Sequence, residues 1–301
     1  MRTETNLARY IALAATLAAI LSAFLMVVRP WYLRWGATEA ESLRALPGDE
    51  IIPHAAGQET RAITIHAPAH QVWPWLAQLG QDRAGFYSFD LLENLVGCEM
   101  PATDLLDARQ QSWRLGDRLW MYPPRKAGGA GFATLRAYVP GRVLGFGTRL
   151  FGTPLGAGDN GSWSFVLEPQ GASATRLLVR GRSAPGRSLV GTAFDRMVFE
   201  PAHFVMERRM LIAIKELAEG GARRRADNHV LVALWTIAFA LFGTAMVMAL
   251  TGRRGWRPLV GVVSAAVVFQ VLTLGQPAAA VGAALTLAAA AILWWPQPRS
   301  A

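Results

Sequence analysis

The sequence predicts an α+β domain, a curved antiparallel sheet crossed by one long helix, flanked by transmembrane helices. Three observations predict it. Long uncharged runs stand toward both ends of the 301 residues. Between them lie short alternating segments set apart by turn signals. After these comes one long segment of helical periodicity. Strands grouped together and followed by a helix, rather than alternating with helices, give an antiparallel sheet.

The uncharged runs come first. Hydrophobic residues make up 52% of the chain and charged residues only 17%, against about 25% charged in ordinary soluble domains. Tyr10 to Val28 is uncharged over 19 residues, and Val230 to Leu250 over 21. At ~1.5 Å per residue the first reaches ~28 Å, close to the ~30 Å hydrocarbon core of a bilayer. Trp256 to Trp295 carries Arg257 alone and is broken by "GQP" at 275–277, leaving runs at 258–274 and 278–295. Both are rich in Ala and Gly, which lets helices approach closely. Four spans are expected; three, with a re-entrant last segment, is the alternative. The first run exceeds the apolar core of a signal peptide, is not followed by an A-x-A site and ends in "VVRPWYLRW", so it reads as a retained anchor.

The resulting division is an anchor at 1–30, a domain at 31–228 with its core at about 60–220, and a membrane region at 229–301 holding three short spans. A multi-pass protein of the cell membrane is expected. Arg253, Arg254 and Arg257 favour placing the domain on one side and Arg223, Arg224 and Arg225 on the other, so the side stays open. The domain holds 23 Arg and Lys against 20 Asp and Glu. Most of the net +9 therefore flanks the spans, and no face reads as a basic stripe for nucleic acid. The cluster Arg223, Arg224, Arg225 stands directly before a span, where anionic lipid headgroups are the expected partner. Cys98 is the single cysteine, which leaves no disulfide within the chain.

Within the domain, "TRAITIHAP" at 60–68 alternates as a strand does. Pro68 suits a first helical turn, and Val72, Trp75, Leu76 and Leu79 then follow at helical spacing to Gly80. Pro74 should distort that helix. Strands are expected at about 117–122, 131–139, 142–149, 161–168 and 174–182, with turns at "PG" 140–141, "GAGDNG" 156–161 and "EPQG" 168–171. The long helix is expected over 189–219. Between strand one and strand two, Ser88 can cap a short helix that opens on Asp90 and ends at Gly97.

The stretch "TRAITIHAPAHQVWPWLAQLGQDRAGFYSFDLLENLVGC", taken with "EPAHFVMERRMLIAIKELAE", resembles the helix-grip superfamily of START and birch-pollen-allergen domains, also called SRPBCC. Polyketide cyclases and dehydrases belong to it, and the likeness is to a bacterial, membrane-anchored branch. It covers about 60 to 220. The resemblance implies a hydrophobic cavity between the sheet and the C-terminal helix, with the short helices at its mouth. Trp75, Phe86, Tyr87, Asp90, His203, Phe204, Met206 and Met210 are the expected ligand contacts. The superfamily includes lipid carriers, hormone receptors and a few enzymes, so it fixes no reaction.

The residues themselves leave two readings at each site. Asp90, Glu93 and Asn94 share a face that is either solvated or borders a cavity. On the long helix, His203, Met206, Met210, Ala213, Ile214 and Leu217 form one stripe. His203 is a packed core histidine or a ligand-contacting, acid–base one, with Glu200 and Glu207 in reach on its own helix. E-x-x-H at 200–203 has no second copy, and His54, His66 and His70 have no ligand spacing, so no metal is expected. "GAGDNG" and "GTPLGAG" at 152–158 lack the Lys–Ser/Thr ending of a phosphate loop, and no serine elbow is present. No cofactor is expected.

The expected function is membrane-anchored binding or transport of a hydrophobic, lipid-like or polycyclic ligand. One alternative is a cyclase/dehydrase-like enzyme using His203 with Asp90 or Glu207 as acid and base. The other is a non-catalytic membrane scaffold or sensor.

Overall fold

The computed structural model describes residues 2–101, 103–126, 130–149, 158–185, 188–251 and 256–294. Its contacts divide it into two compact units, Trp31–Arg223 and Met1–Pro30 with Arg224–Ala301.

The described strands are β1 (Gly57–Ile65), β2 (Arg118–Trp120), β3 (Phe132–Val139), β4 (Val143–Thr148), β5 (Gly161–Gln170) and β6 (Ala174–Ser183). The helices are α1 (Arg2–Ala23), α2 (Arg29–Leu33), α3 (Glu39–Leu43), α4 (Ala69–Ala77) and α5 (Asp90–Leu95), then α6 (Leu189–Phe194), α7 (Glu200–Ala218), α8 (Arg225–Thr251), α9 (Arg257–Gln270) and α10 (Ala279–Trp294). Each strand expected from alternation is present within a few residues of its expected bounds. The long helix of 189–219 is present as α6, a π-helical turn at Asp195–Phe199, and α7. Pro74 stays inside α4 without ending it.

The strand order is β1-β6-β5-β4-β3-β2, antiparallel throughout. Strands β2 to β6 form a meander and β1 closes onto β6. A register shift between Leu135 and Ala137 in β3 bends that edge. On the inner face Phe146, Phe165, Leu135 and Leu177 meet Val72 and Leu76 of α4 and Met210 and Ile214 of α7 in one apolar cluster. On the outer face Ala62, Val143, Val166 and Leu178 are covered by Leu46. Arg180, 2% exposed, fastens that cover: it donates to the carbonyls of Arg44 and Glu41 and to Asp49 Oδ2 at 2.7–2.8 Å. This is the helix-grip arrangement, a curved antiparallel sheet wrapped on a long C-terminal helix.

Two local expectations need correction, and a third lies largely outside the described residues. Ser88 does not cap α5; its hydroxyl donates to the Met206 carbonyl at 2.9 Å, and Phe89 precedes the helix. The buried stripe of α7 runs through Glu207, Met210, Leu211, Ile214 and Leu217, with Met206 only partly covered. Glu207 takes the inward position because the sheet offers it an arginine and an indole N–H. The first two residues of "GAGDNG" and all but the last of "GTPLGAG" lie outside the described residues.

Leu7–Leu33, whose last three residues belong to the first unit, and Arg225–Thr251 and Arg257–Gly275 of the other unit are long and apolar enough to cross a membrane. Ala279–Trp294 is also apolar but has 16 residues, about 24 Å of helix at ~1.5 Å per residue. A Cβ on Gly261 would come within 2.9 Å of Leu293 and 3.2 Å of Ala245, so this glycine lets α8, α9 and α10 close up.

Candidate functional site

The inner face of the sheet is apolar except at the end where β1 begins. There the register sets Glu59 beside Gly181 of β6, and Gly181 beside Trp163 of β5. A Cβ on Gly181 would come within 2.6 Å of Glu59 Oε1. The missing side chain therefore gives the Glu59 carboxylate room to lie across β6. Arg61, two residues along β1, points to the same face. From above, α7 brings His203 and, one turn later, Glu207.

These groups form a connected set. Arg61 Nη1 donates to Glu207 Oε1 at 2.8 Å and Arg61 Nη2 to Glu59 Oε2 at 2.6 Å. Arg61 Nε donates to the Tyr32 carbonyl at 2.9 Å, and Trp163 Nε1 donates to Glu207 Oε2 at 2.7 Å. His203 Nδ1 stands 3.7 Å from Glu59 Oε1 and its Nε2 4.0 Å from Glu207 Oε2. The imidazole stacks on Phe199, with ring centroids 5.5 Å apart, and meets the edge of Trp163 at 5.4 Å. The Arg61 and Glu207 side chains are each 1% exposed, Glu59 17% and His203 26%. His203 is the member that reaches solvent.

Electrostatics separates the two carboxylates. Burial raises Glu59 above the ordinary carboxylate range, and the nearby Glu207 and Glu200 charges add to this against Arg61 and His203. Burial acts on Glu207 too, but the charges of Arg61 and His203 and the hydrogen bonds from Arg61 and Trp163 hold it below that range. The two carboxyls are thus pushed in opposite directions, Glu59 beside His203 upward and Glu207 downward. Two carboxyls whose environments push them apart are suited to acid–base work.

Glu59, His203 and Glu207 also present ligand atoms within 4.8 Å of one another, a spacing compatible with a metal ion. The donor set fits poorly. Arg61 already bonds both carboxylates, and a divalent ion would have to sit against its guanidinium.

Of the residues singled out from sequence, the structure gathers His203, Glu207 and, through the Trp163 ring at 6.2 Å, Phe86. Met210 and Trp75 belong to the inner core, and Tyr87 is buried there, its hydroxyl accepting from Gln78 Nε2 at 2.7 Å. Phe204 packs away from that core: its ring stacks on Tyr32 at 5.3 Å and meets Trp31 at 5.6 Å. Asp90 is set apart, 3.4 Å from Arg223. Arg223 is a further correction. It was expected at lipid headgroups, yet its side chain is 1% exposed, held by Asp90 and Asp104 and lying over the Tyr87 ring.

Glu59, Arg61 and Trp163 were not anticipated. The signal in the sequence was slight: Glu59 and Arg61 share the strand face that carries Ile63 and Ile65, so two charges were bound for the core side.

A second feature lies at the opposite end of α7. An open groove of about 470 Å³ is lined by Trp75, Leu106, Leu217 and Ala218, with His66, His70 and Glu219 beside them. Of the ligand contacts expected from sequence, Trp75 lines it.

No protein-family model and no curated protein matches the chain. Among solved structures it is similar to protein MLL2253 of Mesorhizobium loti, at 14% identity and a TM-score of 0.29, over 53% of this chain and 96% of that one. It is similar to CalC of Micromonospora echinospora, described as a self-sacrificing resistance protein, at 16% identity and a TM-score of 0.31, over 56% and 97%. It is also similar to the Polyketide_cyc-like protein Cgl2372 of Corynebacterium glutamicum, at 17% identity and a TM-score of 0.23, over 54% and 91%. At these values the neighbours bear on neither substrate nor activity. The helix-grip fold rests on the chain's own strand order and on the placement of α7 across the inner face.

Proposed function

We propose that the protein is a membrane-anchored binding protein for a hydrophobic small molecule, lipid-like or polycyclic, that it holds or passes on at the bilayer. The observation that carries this reading is the groove at the end of α7. Its volume, about 470 Å³, falls in the ~300–1,000 Å³ range of small-molecule sites. Its apolar wall of Trp75, Leu106, Leu217 and Ala218 adjoins the inner core, and His66, His70 and Glu219 offer a few polar contacts for a headgroup or hydroxyl. Apolar helices long enough to span a bilayer support the tether, and a tethered site meets lipid-soluble ligand at high effective concentration.

The test is mass spectrometry of small molecules that co-purify with the full chain in detergent. The wild type should retain an apolar ligand. Leu106→Glu puts a charge on a half-exposed lip of the groove and should lose that ligand with unchanged thermal melting. A wild type that purifies empty, and stays empty with added fatty acid or polycyclic probes, would sink the reading.

One observation favours a second reading, a cyclase/dehydrase-like enzyme. His203 lies between two carboxyls that their surroundings push in opposite directions, Glu59 upward and Glu207 downward. In that case Glu59 is the acid–base partner in place of Asp90, whose charge is engaged by Arg223.

A further inference from the structure

The helix leading into α7 is turned inside out. Over Leu189–Phe199 the large apolar residues Leu189, Val190, Phe194, Met197 and Val198 are 36–90% exposed, while Thr192 and Asp195 are partly buried. Those five apolar residues fall on one half of the helical wheel, and Thr192, Asp195 and the partly exposed Phe199, which stacks on His203, fall on the other. A surface helix of a soluble domain shows the reverse pattern. An apolar face of this kind needs an apolar neighbour.

The chain itself says where that neighbour is. Leu7–Leu33 is a single apolar helix long enough to span a bilayer, and Trp31 and Tyr32 stand in its last turn. Tyr32 Oη donates to Glu200 Oε2 at 3.3 Å, and the Trp31 and Phe204 rings are 5.6 Å apart. The start of α7 is therefore held to Trp31 and Tyr32, the residues that follow directly in sequence on the Met1–Pro30 segment. Leu189–Phe199 runs on from there without a break in the helix. Trp31, itself 45% exposed, is a residue type found at membrane–water interfaces. Arg196, exposed among the apolar residues, can extend to a phosphate while its stem stays in the apolar layer.

We propose that Leu189–Phe199 lies in the headgroup–acyl boundary of the bilayer, with Leu189, Val190, Phe194, Met197 and Val198 inserted. It is an in-plane contact, separate from the spanning helices, and it holds the His203 end of α7 at the membrane surface. The inference rests on the membrane-anchored part of the proposed function and is independent of the groove's ligand.

Because the chain has one cysteine, site-directed labelling tests this directly. In a Cys98→Ala background of the full chain, Val190→Cys, Phe194→Cys and Val198→Cys carry a nitrobenzoxadiazole label. Gln170→Cys, at the far end of β5, is the control. The proteins are reconstituted in phosphatidylcholine/phosphatidylglycerol vesicles containing lipid with a shallow doxyl group. Flotation of the vesicles first establishes that the protein resides in them; protein left at the bottom of the gradient would overturn the membrane reading and this inference with it. With floated protein, quenching at the three helix positions should be about threefold or more that at the control, as for a helix buried at the interface. Quenching no greater than the control's overturns the inference and leaves the anchor standing. Disulfide-linked dimers of Phe194→Cys without lipid quenching would overturn it in favour of a second copy.

Discussion

At each end of α7 one arginine sits between carboxylates, and the two ends differ in what surrounds the pair. Near the start of the helix, Arg61 bridges Glu59 and Glu207, and His203 opens the set to solvent. Just past its end, Arg223 bridges Asp90 and Asp104 above the Tyr87 ring, on the residue next to last before α8 begins. The ion chemistry is the same. The first arginine is enclosed with one partner, Glu207, 1% exposed, while Glu59 is 17% exposed and the His203 ring stands among aromatics at the rim. The second is enclosed while its partners reach water, with Asp90 14% and Asp104 31% exposed. An arginine buried with one carboxylate and a histidine at the rim makes a candidate site; an arginine buried while both carboxylates stay partly exposed makes a latch just before α8.

The largest effect expected from this contrast is that of Arg61→Ala. It strands Glu207, 1% exposed, and leaves Glu59 without its nearest cation. Removing one partner of a buried pair costs about 3–5 kcal/mol. Chemical denaturation of the full chain in detergent, followed through the domain's tryptophans, should show a loss of this size. A loss below about 1 kcal/mol, the range of exposed pairs, would mean that water enters the cluster and that it is no buried site.

Arg223→Ala should cost less, about 1–2 kcal/mol, because Asp90 and Asp104 can hydrate once the guanidinium is gone. The same variant should make the peptide bonds at 219–224 more open to limited proteolysis while β1–β6 stays protected. Equal losses for the two arginines would erase the distinction between site and latch.

The fold was legible in the sequence because period and punctuation are local. Alternation in β1 and β3–β6, and the stripe through Met210, Ile214 and Leu217, need only neighbours a few residues away to be seen. The candidate site was legible only in part for the opposite reason. Glu59 is 144 positions before His203, and nothing local says that Gly181 leaves space for its carboxylate. The helical spacing gave His203 and Glu207 together, but not which of them faces inward. That was decided by Arg61 and Trp163 on the sheet. Arg223 misled because a run of three arginines before a span reads as one basic patch. In the fold, the first arginine of the run is drawn inward by Asp90 and Asp104.

Beside the latch, Glu93 gives a smaller, pH-dependent effect. Burial and the neighbouring Asp90 charge raise its carboxyl from the ordinary 4.5 to about 8, against the pull of Arg223. Among the described residues its buried Oε2 has no hydrogen-bond partner. The folded domain then binds this proton more tightly than the unfolded chain does. Its contribution to stability is full below the unfolded value and is lost as pH rises through about 8. The melting temperature should fall between about pH 5 and pH 8.5 in the wild type, and Glu93→Gln should flatten that slope. An unchanged slope in the variant would place the titration elsewhere.

The smallest stability effect belongs to His203→Gln, and it bears on what the first cluster is for. The imidazole is 26% exposed, and its distances to Glu59 and Glu207, 3.7 and 4.0 Å, exceed hydrogen-bond length. Losing it costs the stacking on Phe199, about 0.5–1 kcal/mol for a ring pair. It also removes a positive influence that keeps Glu59 from rising further. If the protein is a binding protein with its ligand in the groove at the far end of α7, the variant should melt within a few degrees of wild type and keep its co-purified ligand. If the cluster does chemistry, ligand should again be retained, but any turnover should vanish, and Glu59→Gln should remove it too, since Glu59 stands beside the imidazole at 3.7 Å. Loss of ligand with unchanged melting would place the bound molecule against His203 instead of in the groove, and would move the binding site from one end of the helix to the other.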